Sequence, residues 1–288
     1  MYAPSFNYLR AGSVAEAQAL LKQHPGAKLL AGGHSLIPLL KLRLASPSVL
    51  IDIGRLAELK GVSVAGGTLR IGALTTHADI AASSLVRQHA PALAEAAGQV
   101  GDPAVRNRGT IGGNVAHADP ASDLPTVLTA LDAQLVVAGQ AGATSHPAAS
   151  FFQGVMATAM GEHDVVTAVE VPVAGRGQTM AYEKFEHPAS RYAVIGVAAI
   201  VTLEGGTCTG AKVAIGGLVP RPVRLASVEK ALGGRALSPD VIAVAAAQTD
   251  VDLGSELLGD IYASAEYRRA VAPVYVTRAL TAAAGRAT

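Results

Sequence analysis

The 288 residues are half hydrophobic and 16% charged, with a formal net charge of +1; such a chain buries a large core and offers neither a basic face for nucleic acid nor the charge excess of a disordered segment. A single cysteine, Cys208, excludes an internal disulfide framework, a cysteine-built zinc site and an iron–sulfur cluster held by this chain alone. The start, MYAPSFNYLRAGSVAEA, lacks the features of a secretion signal, and the most apolar run, AVIGVAAIV (193–201), is shorter than the roughly 20 residues of a spanning helix, so a soluble, cytoplasmic protein is expected.

Ser13 and Glu16 have the spacing of a capping box, ahead of an alanine- and leucine-rich helix that stops near Pro25. AKLLAGG then reads as a short buried strand entering a glycine turn, and SVLIDIG as a second strand, which closes a small β/α unit over residues 1–55. From 56 to 175, TLRIGAL, AQLVVAG and DVVTAVEVP read as strands, and THADIAAS, PALAEAAGQV and DLPTVLTAL as helices, the last with Asp123 placed to cap it. VPVAGRGQT is a linker into a third unit, 176–288. There MAYEKF, AVIGVAAIVTLEGG and CTGAKVAIGGL predict a three-stranded antiparallel sheet, with Gly205-Gly206 as a hairpin turn. Helices precede Gly233-Gly234, follow Ser238-Pro239 and start near Ser264, with Pro273 set to kink or break the last. The irregular alternation of strands and helices indicates an α+β fold.

Chemistry must come from loops, and two stand out. In LLAGGHSLIPLL (29–40) a buried strand feeds into Ala31-Gly32-Gly33-His34-Ser35, where two glycines allow positive φ and successive N–H groups can converge on an anion. RNRGTIGGNVAHADPASDLP (106–125) holds Thr110-Ile111-Gly112-Gly113-Asn114, equally small and rich in donors. Neither loop spells GxGxxG or carries the lysine of a P-loop. Each taken alone is also what a simple turn looks like; two on separate segments suit a dinucleotide pyrophosphate clamped between them. His117 and Asp119 form a metal-ligand fragment without the clustered partners a metal needs.

Together, LAGGHSLIPLLKLRLASPSVLIDI and VRNRGTIGGNVAHADPASDLP resemble the FAD pyrophosphate loops of the medium subunits of molybdenum hydroxylases, the family of carbon monoxide dehydrogenase medium chains and xanthine dehydrogenase FAD subunits. FNYLRAGSVAEA, YEKFEHPASRYAVIGVAA and SAEYRRAV fit in the same order, so the resemblance spans the chain. It implies a two-part, PCMH-type FAD-binding domain followed by a smaller C-terminal sheet with helices. It also implies non-covalent FAD, with molybdopterin and [2Fe–2S] clusters on a large and a small partner subunit, the whole a dimer of heterotrimers. Electrons would pass from the clusters to FAD and on to NAD, a quinone or oxygen.

Carried over by position, the resemblance assigns Ala31, Gly32, Gly33, His34, Ser35 and Leu36 to the first pyrophosphate loop and Thr110, Ile111, Gly112, Gly113 and Asn114 to the second. It gives a contact at Val100, places Asp123 at the adenosine ribose, and sets Lys184 and Tyr192 near the isoalloxazine ring. Each also has a plainer reading: Asp123 as a helix cap, Lys184 as a solvated cation, Tyr192 as a core aromatic. Arg106 and Arg108 flank the second loop, within reach of a phosphate in principle, but read first as surface or partner-facing salt bridges. No catalytic acid or base is marked, although a self-contained flavin oxidase or reductase is the competing function. Carbon monoxide dehydrogenases are expected to read IRxxGTIGGNxANGDPGND; His117-Ala118 and Ala121-Ser122 depart from that form toward an aldehyde or N-heterocycle hydroxylase.

Overall fold

The protein is described by a computed structural model over residues 2–286. Its first part is a parallel sheet of β1 (Asn7–Arg10), β2 (Lys28–Leu30) and β3 (Val49–Asp52), ordered β1-β3-β2, with α1 (Val14–Gln23) and α2 (Leu36–Lys41) between the strands. Ser13 Oγ accepts the Glu16 N–H at 3.1 Å, and Glu16 Oε2 accepts the Gly12 N–H at 2.7 Å, so the capping box forms with its return bond one residue upstream. Strand β1 was not expected; its residues are mostly exposed and show no alternation.

The second part starts with the hairpin β4 (Val62–Ala65) and β5 (Thr68–Gly72). Six helices follow: α3 (His77–Ala82), α4 (Ser84–His89), α5 (Pro91–Gln99), α6 (Pro103–Arg106), α7 (Ile111–His117) and α8 (Asp123–Ala130). Then come β6 (Gln134–Gly139), β7 (Gly142–Pro147), α9 (Ala148–Phe151), the short pair β8 (Phe152–Gly154) and β9 (Ala157–Thr158), and β10 (Val165–Pro172). The antiparallel sheet β4-β5-β10-β6-β7 packs its apolar face, including Leu69, Ile71, Leu135 and Val169, with Leu93, Ile111, Leu124 and Leu128 of the helices.

The third part is the sheet β11 (Gln178–Glu186), β12 (Ala193–Glu204), β13 (Thr207–Gly216) and β14 (Val223–Arg224), followed by α10 (Ala226–Leu232), α11 (Pro239–Ala246), α12 (Thr249–Leu253) and α13 (Ala265–Gly285). The expected three strands become four because two-residue β14 pairs with β13, in a stretch whose flanking prolines hide it. The β12–β13 turn takes Gly205 and Gly206 at φ +56° and +81°, the left-handed pair a tight hairpin needs. Helix α13 continues through Pro273 without a break, since Ala272, Val276, Ala279 and Leu280 are all buried against the sheet. That packing offsets the roughly 3 kcal/mol an interior proline costs.

The run AVIGVAAIV lies on β12, and its two faces enter different cores. Ala198 and Ile200 join the core of the second part; Val197, Ala199 and Val201 join that of α10–α13. A strand covered on both sides reads as continuously apolar, and among the described residues no helix is long and apolar enough to cross a membrane. Backbone bonds join the parts as well: Ala193 N–H to Ala121 O and Gly217 N–H to Pro120 O, both at 3.0 Å. Glu95 adds an ion pair with Arg286 at 2.6 Å and accepts the Tyr182 N–H at 3.0 Å.

Gly72, at the end of β5, lies against the backbone of Leu59 and Lys60, where a methyl group would overlap the Leu59 carbonyl. Gly72→Ala is therefore expected to lower stability in urea unfolding by about 1–3 kcal/mol. Gly175→Ala, with open space around it, should change it by less than about 0.5 kcal/mol.

Candidate functional site

Strand β2 delivers the chain into the first loop, and Gly33 reverses it at φ +75°. Ile37 and Leu39 N–H groups bond back to Gly33 and Ser35 carbonyls, at 2.9 and 3.2 Å, to start α2. Among the described residues no protein acceptor meets the N–H groups of Gly32, Gly33, His34, Ser35 and Leu36. Five consecutive donors are left for a ligand, as in an anion-binding nest.

The second loop is built differently. Thr110 caps α7, its Oγ1 taking the Gly113 N–H at 3.2 Å. Ile111 N–H goes to Thr75 O at 3.1 Å, Gly112 N–H to Ala73 O at 2.8 Å and Asn114 N–H to Thr110 O at 2.9 Å. The expectation of a second row of open backbone donors is thus corrected: of these five N–H groups, only that of Thr110 lacks a protein acceptor among the described residues. Gly112 is needed for packing, since a Cβ there would lie 2.7 Å from the Ala73 carbonyl oxygen. For a ligand the loop offers the Asn114 amide: its Nδ2 donates to Ser122 Oγ at 3.2 Å, while its buried Oδ1 has no partner among the described residues.

The two loops touch. A Cβ on Gly32 would overlap the Arg108 carbonyl and lie 2.9 Å from Gly109 Cα. His34 Nε2 lies 3.1 Å from Ala104 O on α6, which ties the first loop to the segment before the second. Arg106 Nη1 donates to Val100 O and Gly101 O, at 3.1 and 2.8 Å, and so holds the carbonyl of Val100 at the end of α5. Within the chain Arg106 binds carbonyls and Arg108 lends its own carbonyl to the loop contact; neither forms a salt bridge with another of the described residues.

His77 supports this junction from below. Its backbone N–H donates to Gly109 O at 3.0 Å, its ring edge lies where a Cβ on Gly109 would stand, and its buried Nδ1 has no partner among the described residues. Burial first, then the positive charges of Arg106 and His34, lower its pKa from 6.5 to about 4. The ring is therefore neutral at physiological pH.

The third wall comes from the C-terminal sheet. Tyr192, in the loop between β11 and β12, is 43% exposed, with its side chain beside Ser35 of the first loop. Burial and the nearby carboxylates of Asp119 and Asp123 raise its pKa. Behind it lies a buried network. Lys184 Nζ pairs with Asp123 Oδ1 at 2.9 Å and donates to Gln99 O at 3.1 Å; the Tyr182 hydroxyl donates to Asp123 Oδ1 at 2.6 Å. The side chains of Lys184 and Asp123 are only 1% and 5% exposed, which rules out a solvated lysine. Burial raises the Asp123 pKa, an effect that Lys184 and Tyr182 oppose.

Asp123 is the first residue of α8, preceded by the cap position Ser122, so the expected capping role is also corrected. Because Asp123 and Lys184 are in contact, they cannot serve opposite ends of one dinucleotide, a ribose and a flavin ring. Two partners in this site were missed. Tyr182 lies two residues before Lys184 on a strand, hence on the same face, a signal the sequence did carry; nothing in the sequence marked His77.

Residues 4–174 match a family model described as the FAD binding domain in molybdopterin dehydrogenase, and residues 180–283 one described as the CO dehydrogenase flavoprotein C-terminal domain. The chain is 40% identical to the carbon monoxide dehydrogenase medium chain of Hydrogenophaga pseudoflava, with 99% of each covered. It is 39% identical to the glyceraldehyde dehydrogenase medium chain of Sulfolobus acidocaldarius, covering 97% of this chain and 98% of that one. A solved carbon monoxide dehydrogenase from Hydrogenophaga pseudoflava superposes with a TM-score of 0.95 at 40% identity, 99% of each chain covered.

The depressed pKa of His77 has a consequence for stability. Unfolded, the ring takes up a proton near pH 6.5; folded, it resists until about pH 4. Stability from this group is complete above the first value and lost as pH falls toward the second, about 3 kcal/mol in all. Urea unfolding across that window should show a shallower decline for His77→Gln than for the wild type. Parallel declines would show that His77 does not titrate in this way.

Proposed function

The chain belongs to the family of FAD-binding medium subunits of molybdenum hydroxylases, and on that premise we propose that it passes electrons from the [2Fe–2S] clusters of a small partner subunit to an external acceptor, NAD, a quinone or oxygen. The clusters are in turn reduced from a molybdopterin centre on a large subunit, the enzyme is a cytoplasmic dimer of heterotrimers, and this chain hydroxylates nothing itself. The observation that carries the reading is the row of open N–H groups from Gly32 to Leu36, pressed against the segment that leads into Thr110.

FAD, when bound, supplies the redox chemistry: it accepts electrons singly and releases them in pairs. The protein binds, orients and tunes it. The first loop holds the pyrophosphate through backbone donors, with Ala31 at its entry and Ser35 adding a hydroxyl. The second loop contributes the Thr110 N–H and the Asn114 amide, and Ile111, Gly112 and Gly113 shape the wall. Val100 lies against the cofactor from the end of α5. No phosphoryl group is transferred, so a fixed lysine is not needed. Binding is non-covalent, in keeping with the His34 ring's bond to Ala104 O.

Tyr192 covers one face of the ring. Asp123 joins Lys184 at the ring end of the site, since the two are in contact and the Asp123 carboxylate is near enough to Tyr192 to raise its pKa. There the buried ammonium stabilises the negative charge that reduction brings. The division into 1–55, 56–175 and 176–288 remains our reading, supported by the separate three-, five- and four-stranded sheets, one in each part. Identities of 40% and 39% to medium chains of a carbon monoxide and a glyceraldehyde dehydrogenase do not separate those substrates, as expected if another subunit reads the substrate.

Two measurements test this. Gly32→Ala in the assembled enzyme should lower bound FAD per chain at least tenfold, as several charge-assisted hydrogen bonds are lost, whereas Gly154→Ala, in open space, should leave it full; full flavin in Gly32→Ala would contradict the site. Stripping FAD from the complex should leave substrate-driven cluster reduction intact and abolish acceptor reduction. Acceptor reduction that survives the stripping would place the exit of electrons elsewhere.

A further inference from the structure

We propose that Tyr182 is a positioning residue of the redox site: its hydroxyl fixes the Asp123 carboxylate, and through it the Lys184 ammonium, in one orientation toward the bound flavin. This rests on the placement of the pair at the ring end proposed above.

Asp123 and Lys184 lie on α8 and β11, 61 residues apart, and Lys184 reaches both carboxylate oxygens. Tyr182, two residues before Lys184 on β11, adds a second fixed donor to the same carboxylate. Its backbone N–H is bound by Glu95 Oε2 at 3.0 Å, its ring is buried, and its hydroxyl reaches Asp123 Oδ1 at 2.6 Å. Oδ1 thus accepts from both Tyr182 and Lys184, while Oδ2 receives Lys184 alone at 3.1 Å. A charge-assisted hydrogen bond of this kind is short, directional and about twice as strong as a neutral one.

The neighbouring strand is shaped to admit it. Gly196 on β12 pairs with Lys184, and a Cβ there would lie 2.5 Å from the Tyr182 hydroxyl oxygen. Glycine inside a central strand weakens it and marks a place where another group comes close. Here that group is the hydroxyl. A phenyl ring in the core of the second part, where Tyr182 is packed, would stand 3.3 Å or more from such a Cβ, a tight contact but not the overlap made by the hydroxyl oxygen. The hydroxyl and the glycine make sense together, as a device that orients a buried charge.

Without the hydroxyl, Asp123 turns to satisfy Lys184 alone, and its negative charge is less dispersed. The ammonium then does less to offset charge added to the ring, and the flavin becomes harder to reduce. Tyr182→Phe tests this in the full-length chain loaded with FAD, compared with Lys184→Gln and Gly196→Ala. At a fixed electrode potential, Tyr182→Phe should shift the ratio of oxidised to reduced flavin about threefold or more toward oxidised. The visible flavin spectrum should change, FAD per chain should stay the same, and Gly196→Ala should reproduce the shift by displacing the hydroxyl. If Lys184→Gln moves the potential while Tyr182→Phe and Gly196→Ala leave it at the wild-type value, the positioning role is refuted. If FAD is bound and Lys184→Gln has no effect either, the pair is not at the ring and the placement itself fails. Should Tyr182→Phe not fold, Gly196→Ala decides between the same outcomes.

Discussion

Gly32 and the Arg108–Gly109 peptide lie so close that no side chain fits between them. The rest of the site follows from that approach. It brings a loop of the first sheet against a loop of the second, so the open donors of one face the capped helix start of the other. The glycine is there for the second backbone as much as for a ligand. His77 beneath Gly109, and the bond from His34 to Ala104 O, hold the same junction from two sides. The histidines are spent on geometry rather than on chemistry, and His77 stays neutral because protonation in that place is costly.

The C-terminal part completes the site because its sheet is buried on both faces. One face belongs to helices α10–α13 and the other to the core that contains α5 and α8. Polar side chains on the second face therefore lie inside the molecule, where a charge must be paired. Asp123, Lys184 and Tyr182 meet that demand together. The ion pair joins α8 to β11, so whatever orients it also sets how the two parts meet.

Much of the architecture was legible in the sequence. Alternation marked β5, short apolar runs marked β6 and β10, and Gly205-Gly206 marked the hairpin, because burial and turn geometry act locally. Strand β1 is exposed and β14 has two residues, so neither carries a pattern. The two glycine motifs marked both loops but could not distinguish their roles. TIGGN and AGGHS are equally small, yet in one most N–H groups are bound within the protein and in the other they are open. That difference depends on Ala73 and Thr75, which approach only in the folded chain. The Asp123–Lys184 contact was hidden for the same reason, by 61 intervening residues; the alternation along β11 that places Tyr182 beside Lys184 was available but is common to any strand.

The central claim is that the first loop supplies a row of backbone donors, while the second, Thr110 apart, already has its own bound within the protein. Amide hydrogen exchange of the assembled protein with and without FAD tests it most directly. The account predicts that FAD slows exchange at Gly32–Leu36, while Ile111, Gly112, Gly113 and Asn114 are protected in both states. Strong new protection at Ile111–Asn114, with Gly32–Leu36 unchanged, would contradict it.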